Sequence, residues 1–570
     1  MEKRTNADVT VMGAGPAGSV AALCLRHRGR SVTVLERGRF PRYRIGESLL
    51  PGTMSILERL GVMDRVHAAG FPKKRAATFL WGAGRAPWSF TFATPKTAPW
   101  TYDHAYQVTR AEYDQILVEA AAERGADVRL EHDVTGIAMH GDEPVRVRWK
   151  SGANEGESTS RFIVDASGAS GLVARTCQLR RFDEYYRNMA VWSYFRGGKR
   201  YGGELAGNIF SVTFPQGWIW HIPLKDDIYS VGVVTGVENA ARIREVGADA
   251  FYRECLDQCD FSKDLLEHAE QCDEVRIVRD WAYDASQLAV DHAFICGDAG
   301  CFIDPLFSQG VHLATYSAVM AGAAIDYLID RPDESESVMA WYDRSYRDAY
   351  NQYHKFLSAF YAHCDYPGSA FWEARRIHGA SDSRFANQEW FATLQGTQLE
   401  DGGLDALEES AQTLTEIWDH GTDTVTESFD ANSITTKRLR WAGELLRAFT
   451  KMKALRWRQG APTLVSWYRV HPTSFALERQ TYLGDGTGNA LRSVPLGEDH
   501  RAVLAGLSTE PVGYRELTAR FARLAAPIAA PLLVQRLIEE GFLVGEDAEG
   551  QPVPVHAGLR FGGVGAETEV

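Results

Sequence analysis

The run Val9-Thr10-Val11-Met12 reads as a short buried strand that passes directly into Gly13-Ala14-Gly15-Pro16-Ala17-Gly18. An apolar helix, Ser19 to Arg28, follows, and a second strand, Ser31 to Leu35, ends in Glu36, eighteen residues past Gly18. Strand, glycine turn, helix and a strand-end carboxylate at this spacing form the pattern of a dinucleotide-binding unit. Gly13 permits the tight turn, Gly15 lets the backbone approach a pyrophosphate, and Gly18 lets the helix pack closely on its strand. The start of the helix then offers unpaired N–H groups and a positive dipole end to phosphates.

Further along, the hydrophobic pattern alternates between helix and strand periods. A helix is expected over Thr53 to Leu60 and an alternating strand over Ala76 to Trp81, just after Lys73 and Lys74. Thr109 opens a capping-box helix that runs to about Arg124, with Gln107 ahead of it at a strand end. Strands at Val128 to Leu130, Val145 to Trp149 and Phe162 to Gly168 return the chain to the nucleotide domain, the last with a strand-end acid, Asp165. Between about 187 and 235 the period is that of antiparallel strands with hairpin-like links at Pro215-Gln216-Gly217 and Lys225-Asp226-Asp227, a sheet placed to wall off a ligand. After a helical stretch at 241 to 270 and a strand at Val275 to Val278, a buried strand ends in Gly297-Asp298, and a long helix covers Val311 to Leu328 behind the turn Ser308-Gln309-Gly310. Backbone N–H groups at that helix start suit an anion or an electron-rich ring edge.

From about 365 the composition shifts. Residues 379 to 436 are polar with a helix expected at Leu404 to His420, 437 to 458 read as a basic amphipathic helix, and Tyr514 to Gly545 reads helix, loop, helix, turn, in the manner of a winged-helix-like module. A flexible tail is expected over 555 to 570.

Length and charge narrow the function. A chain of 570 residues with 45% apolar content is too long for one core, so two or three domains are expected. A formal charge of −14 argues against nucleic-acid binding, which needs clustered Lys and Arg. The eight cysteines lack a CxxC pair or metal-ligand spacing, which favours reduced thiols in the cytoplasm and no metal site. The first strand begins within a few residues of Met1, leaving no room for a leader, and no apolar run reaches the length of a spanning helix. In the loop after Glu36, Arg42 and Arg44 alternate with Tyr43 as a strip suited to an anionic cofactor.

Three motifs, GxGxxG at 13 to 18, Trp218-Ile219-Trp220-His221-Ile222-Pro223 and the Gly297-Asp298 strand end, together resemble the FAD-dependent halogenases, on the branch that includes the halogenase of chloramphenicol biosynthesis and carrier-protein-associated relatives. The resemblance implies an α/β fold: a Rossmann-type FAD-binding domain of the hydroxybenzoate-hydroxylase type with an inserted antiparallel sheet, plus a mainly helical C-terminal region. It implies a halogenase module over 1–365, with about 187–275 as the insertion, and a C-terminal domain over 366–570. It also implies FAD, used as FADH2 delivered by a separate flavin reductase, together with O2 and chloride. Chloride is oxidised to hypochlorous acid, the indoles of Trp218 and Trp220 separate flavin from substrate, and Lys74 holds or activates the oxidant, as a hydrogen-bond donor or through a chloramine. Gly13, Ala14, Gly15, Gly18, Glu36, Arg44, Gln107, Asp298 and Gly310 carry over as FAD contacts, Ser308, Gln309 and Gly310 as the chloride site, and Asp280 as a position where the flavin 8-methyl group can be tethered, with an ordinary hydrogen-bonding aspartate as the alternative. Indole halogenases carry a glutamate beside the serine of the halide turn, where this chain has Phe307. That departure favours an aliphatic enol or a phenol, free or carrier-tethered, over tryptophan. Two other readings stay open: a single-component FAD/NADPH hydroxylase or epoxidase, and a non-catalytic flavin-dependent binding protein.

Overall fold

The computed structural model describes residues 5–379 and 448–553, apart from breaks at 85–86, 93–100, 140, 142–143, 184, 280–281, 363, 365, 449–450, 459, 487–489, 509, 525–528 and 540. Of these, 5–379 with 470–477 belong to one compact unit and 448–469 with 478–553 to a second. The expected helix at Leu404 to His420, the tail at 555 to 570 and Asp280 lie outside the described residues.

The first unit is built on two sheets. Thr5–Met12 lies at the centre of one, paired in parallel with Val32–Glu36 on one side and Asn154–Asp165 on the other, with Ala293–Ile295 parallel beyond the latter. Val9, Val11 and Met12 are fully buried, as strands covered on both faces require. Register places Met12 level with Leu35 and with Asp165, so the carboxyl ends of the parallel strands form one edge. The helix Pro16–His27 is buried through its first ten residues, packed close against the long helix Gln309–Asp330, where a Cβ on Gly322 would stand 3.0 Å from the Cβ of Cys24.

In the second sheet Gly217–Pro223 runs antiparallel to Ile209–Phe214 and to Ile228–Gly236, which in turn pairs with Asn188–Arg196. Ala76–Leu80, more than a hundred residues earlier, adds to it in parallel, with Ala77 opposite Ile209. The helices Ala240–Val246, Ala248–Asp257 and Asp260–Leu266 occupy the expected helical stretch; Phe251, Tyr252, Cys255 and Leu265 from them bury Ile219, Val231 and Val233. Side chains alternate across a strand, so Trp218 and Trp220 project from the opposite face.

The helix expected after Thr109 spans Arg110–Glu123, but the Thr109 side chain makes no cap hydrogen bond, so the capping box is not formed. In the second unit, Ala454–Trp457 is a strand paired with Leu543–Glu546, which replaces the end of the amphipathic helix expected over 437 to 458. Leu455 and Trp457 reach the core that Leu517, Phe521, Leu533 and Leu537 build from the helices Tyr514–Phe521 and Ala530–Glu539, and a strand pairing fits that core better than a helical stripe. Among the described residues no helix is long and apolar enough to cross a membrane.

Gly232 lies opposite Trp220 in the second sheet, and a Cβ there would fall 2.0 Å from the indole ring. Gly232→Ala should therefore displace Trp220 and lower stability by about 1–3 kcal/mol, as overpacking of a filled core does; urea unfolding against the parent measures it.

Candidate active site

A cavity of about 670 Å3 opens along the carboxyl edge of the parallel sheet. Gly13, Gly15, Glu36, Arg44, Asp298 and Gly310 line it, and so do Ser308, Trp218 and Trp220. Most of the residues that the sequence singles out are thus brought to one space.

The glycine loop is built for close approach. Gly13 has φ +99°, and a Cβ on it would stand 2.4 Å from the carbonyl oxygen of Ala166. Gly18 packs against the carbonyl of Gly13, as expected for the helix–strand contact. A Cβ on Gly15, by contrast, would meet only the Arg42 guanidinium, at 3.7 Å. No side chain caps the helix that begins at Pro16, which leaves its first-turn amides available to a bound anion. Glu36 accepts the Ala14 amide at 2.8 Å and the Gly38 amide at 2.9 Å, so it fixes the loop as well as offering a carboxylate to a ribose. Partial burial and the neighbouring Arg42 and Arg37 push the Arg44 guanidinium below its usual range. Crowded cations of this kind are relieved by an anion. Arg42 Nε is buried without a protein partner, and burial drives Asp298 up to about 6 against the opposing pull of Arg110 and Arg180. These residues fit FAD: a phosphate-binding loop, a strand-end acid, and a cluster of arginines in which Arg44 is crowded by Arg42 and Arg37 while Arg42 is paired with Glu36 and Asp114.

Gln107 stands apart. It does not line the cavity; its amide donates to the Gly207 carbonyl at 2.9 Å, while its Oε1 is buried without a partner.

The far wall of the cavity is aromatic. The rings of Trp218 and Trp220 lie 6.2 Å apart and Trp192 lies 6.4 Å from Trp220. Behind Trp218 stand Trp81 at 6.4 Å and, against Trp81, Phe360 at 4.8 Å. Phe307 packs in the same cluster, 6.0 Å from Phe79 and 5.0 Å from Phe360. At the end of this wall Ser308 has a left-handed backbone, φ 60°, and its amide is taken by the Pro305 carbonyl, which leaves the amides of Gln309 and Gly310 at the helix start for an anion.

Lys74 does not line the cavity. It is 1% exposed, on the short strand Lys73–Lys74, and its Nζ donates to the Leu49 carbonyl at 3.0 Å and to Ser308 Oγ at 3.2 Å. Burial alone pulls its ammonium down to about 7. Lys73 is exposed. One hydrogen bond therefore connects a buried amine to the turn on the cavity wall.

Three residues that carry no sequence motif belong to this site. Glu47 lines the cavity, accepts Tyr194 OH at 2.7 Å, keeps Oε2 without a partner, and is driven by burial up to about 7. Asp304 and Tyr361 hold the wall from behind. A lone carboxylate after the arginine-rich Arg37 to Arg44 loop is the one signal that Glu47 offers in the sequence.

A glycine loop at parallel strand ends, a strand-end acid and an aromatic wall define a flavin-dependent oxidoreductase. The FAD binding domain family matches residues 6–342, and the family described as the C-terminal domain of the chloramphenicol halogenase CmlS matches 441–557. The crystal structure of CmlS, a flavin-dependent halogenase, superposes with TM-score 0.83 at 41% identity, covering 98% of this chain and 100% of that one. A tryptophan 2-halogenase of Chondromyces crocatus is 34% identical over 383 residues, 66% of this chain and 72% of the relative. A 1H-pyrrole-2-carbonyl-[peptidyl-carrier protein] chlorinase of Pseudomonas fluorescens is 30% identical over 375 residues, 62% of this chain and 83% of the relative. The chain belongs to the FAD-dependent halogenases, and is an enzyme of that class.

The buried amine sets a pH signature. In the folded chain Lys74 loses its proton near 7, against 10.5 when solvated, so below about pH 7 folding must bury an ammonium. Lys74→Met should be more stable than the parent at pH 7 and below by a few kcal/mol, at ~1.4 kcal/mol per pKa unit. The gap should narrow from about pH 7 to 10.5, as the unfolded parent loses the same proton; unfolding midpoints in urea across that range measure it.

Proposed function

We propose that the enzyme oxidises chloride at the cavity and delivers the chlorine through Lys74 to an activated phenol or an enolisable acyl group, free or tethered to a carrier protein, in the making of a secondary metabolite. Bound FAD, reduced by a separate flavin reductase, supplies with O2 the oxidising equivalents that turn chloride into hypochlorous acid. Gly13, Gly15, Glu36, Arg44 and Asp298 are the groups that hold it, and the amides of Gln309 and Gly310 with Ser308 hold the chloride.

The protein's own part is separation and delivery. Trp218 and Trp220 keep the oxidising centre from touching substrate, so that only a small oxidant passes. Lys74 receives it: the neutral amine donates its lone pair to the chlorine of hypochlorous acid, forming an N–Cl bond and releasing hydroxide, which takes a proton from the amine to leave as water. An ammonium has no such lone pair, and burial, which lowers the Lys74 ammonium to about 7, favours the neutral amine that the step needs. The observation that carries this reading is the hydrogen bond from the buried Lys74 to Ser308, a residue that lines the cavity together with Trp218 and Trp220.

The substrate class follows from what surrounds the amine. Burial is the sole cause of the Lys74 shift, with no carboxylate contributing, and Phe307 stands where a base would be needed to help a weakly nucleophilic carbon. A phenol or enol brings its own electron density. One test decides between substrates and rivals: incubation with a flavin reductase, NADH and chloride against activated phenols, carrier-bound ketoacyl groups and tryptophan, read by mass for replacement of H by Cl. Chlorinated phenol or ketoacyl product is expected. Chlorinated tryptophan alone would overturn the substrate class, and oxygen insertion without chloride would overturn the halogenation chemistry. Lys74→Ala should reduce chlorination at least a hundredfold while flavin reoxidation continues.

Asp280 is proposed as the attachment point of the flavin through its 8-methyl group. Flavin absorbance should then remain on the denatured parent chain and be released from Asp280→Ala; release from the parent overturns the link.

A further inference from the structure

A buried line of hydrogen bonds joins the indole wall to the halide turn. Trp218 Nε1 donates to Tyr361 OH at 2.5 Å, and Tyr361 OH donates to Asp304 Oδ2 at 2.9 Å. The same oxygen takes Asn188 Nδ2 at 3.3 Å, and the Asn188 oxygen is held by the Arg375 guanidinium. Asp304 Oδ1 accepts the Leu306 amide at 3.0 Å, and the Asp304 main-chain carbonyl accepts Gln309 Nε2 at 2.5 Å. Trp218, Tyr361, Asp304, Asn188 and Gln309 are each no more than 3% exposed.

The chemistry of each partner fixes the direction of the line. An ionised carboxylate only accepts, so the single phenolic proton of Tyr361 is drawn to Asp304 and the phenol oxygen is left to accept from the indole N–H, which only donates. An apolar residue at 304 would fill the space without the cost of burying a carboxyl group, and burial does push Asp304 up to about 6, partly offset by its donors and by Arg375. Such a residue would leave three groups unsatisfied at once, the Tyr361 hydroxyl, the Asn188 amide and the Leu306 amide, and would release the hold on Trp218 that Tyr361 passes on.

We propose that Asp304 is a positioning residue for halogenation, holding the Trp218 indole through Tyr361 and the Ser308 turn through Leu306 and Gln309, so that barrier and halide turn keep one geometry. The inference rests on the reading of Trp218 as the barrier. Where the line is cut, the indole can tilt and oxidant is lost as hydrogen peroxide or hypochlorous acid before Lys74 captures it.

Two variants of the full chain separate the arms. Tyr361→Phe keeps the ring, cuts the line to Trp218 and takes one donor from Asp304 Oδ2, while the Leu306 amide stays on Oδ1. Asp304→Asn leaves one acceptor oxygen where the carboxylate has two, so it strains the turn as well. Tyr252→Phe is the control, since the Tyr252 hydroxyl donates to the Val231 carbonyl at 2.7 Å in a fully buried site off the line. For each, the near-ultraviolet dichroism of the chain, the half-saturating chloride concentration, and the ratio of chlorinated product to released peroxide and hypochlorous acid are measured.

Tyr361→Phe should alter the tryptophan dichroism and lower the product ratio at least fivefold, with half-saturating chloride within twofold of the parent. Asp304→Asn should show the same fall and raise half-saturating chloride at least threefold. The control should leave ratio and chloride dependence unchanged. The inference is overturned if Tyr361→Phe keeps the parent's dichroism and ratio, or if the control lowers the ratio equally, which would make the effect general loosening. Should the parent chlorinate none of the substrates, the halogenation reading fails instead, while an unchanged dichroism in Tyr361→Phe still refutes the positioning.

Discussion

The structure depends on one costly placement, an amine sealed from water. Desolvation lowers the Lys74 ammonium to about 7 without any neighbouring base, which is the condition that the proposed capture of an oxidant by a neutral amine requires. The amine is tolerated because its hydrogens find the Leu49 carbonyl and Ser308 Oγ, and because the Phe92 ring lies 5.2 Å beneath it. Neither acceptor carries a formal charge, so the ammonium is satisfied but not favoured, which is what leaves the pKa low.

Two sheets divide the labour that follows from this. The parallel sheet ends at one edge, where the glycine loop, Glu36 and the strand before Asp298 converge to hold a nucleotide. The antiparallel sheet supplies a wall: successive residues face opposite sides, so Trp218 and Trp220 share one face while Ile219 and His221 face the helices. Joining Ala76–Leu80 to the second sheet brings the lysine strand, which precedes it directly, to the rim where the long helix Gln309–Asp330 starts. Lys74 and Ser308 are 234 residues apart in sequence and meet only in the folded chain.

How much of this is legible in the sequence follows from the range of each interaction. Gly13 to Glu36 is a local pattern in which spacing and residue type carry the geometry, so the cofactor edge can be read directly. The tryptophan strand is equally local, and its alternation shows which residues share a face. The role proposed for Lys74 is suggested in the sequence only through likeness to a family, because burial of an isolated lysine is decided by residues that pack on it from Leu49, Phe92 and Ser308. Asp304 and Tyr361 show no signal at all: 57 residues separate them, and neither lies in a motif that names a partner. The amphipathic spacing at 437 to 458 misleads for a related reason, since apolar Leu455 and Trp457 satisfy a strand facing a local core as well as a helix stripe.

The segment Glu47 to Leu49 serves two desolvated groups that titrate independently. The Glu47 carboxyl faces the cavity, near 7 because burial opposes its charge, while two residues on the Leu49 carbonyl accepts the proton of Lys74, near 7 for the same reason. Burial has opposite effects on a carboxylate and an ammonium, raising one and lowering the other until they meet. Neither shift needs the other residue, since no Coulombic contribution from Lys74 enters the one or from Glu47 the other. Burial at each group is therefore sufficient to bring a carboxyl on the cavity and a buried amine to about 7 together, and a change that lets water reach either group would return it toward its ordinary value.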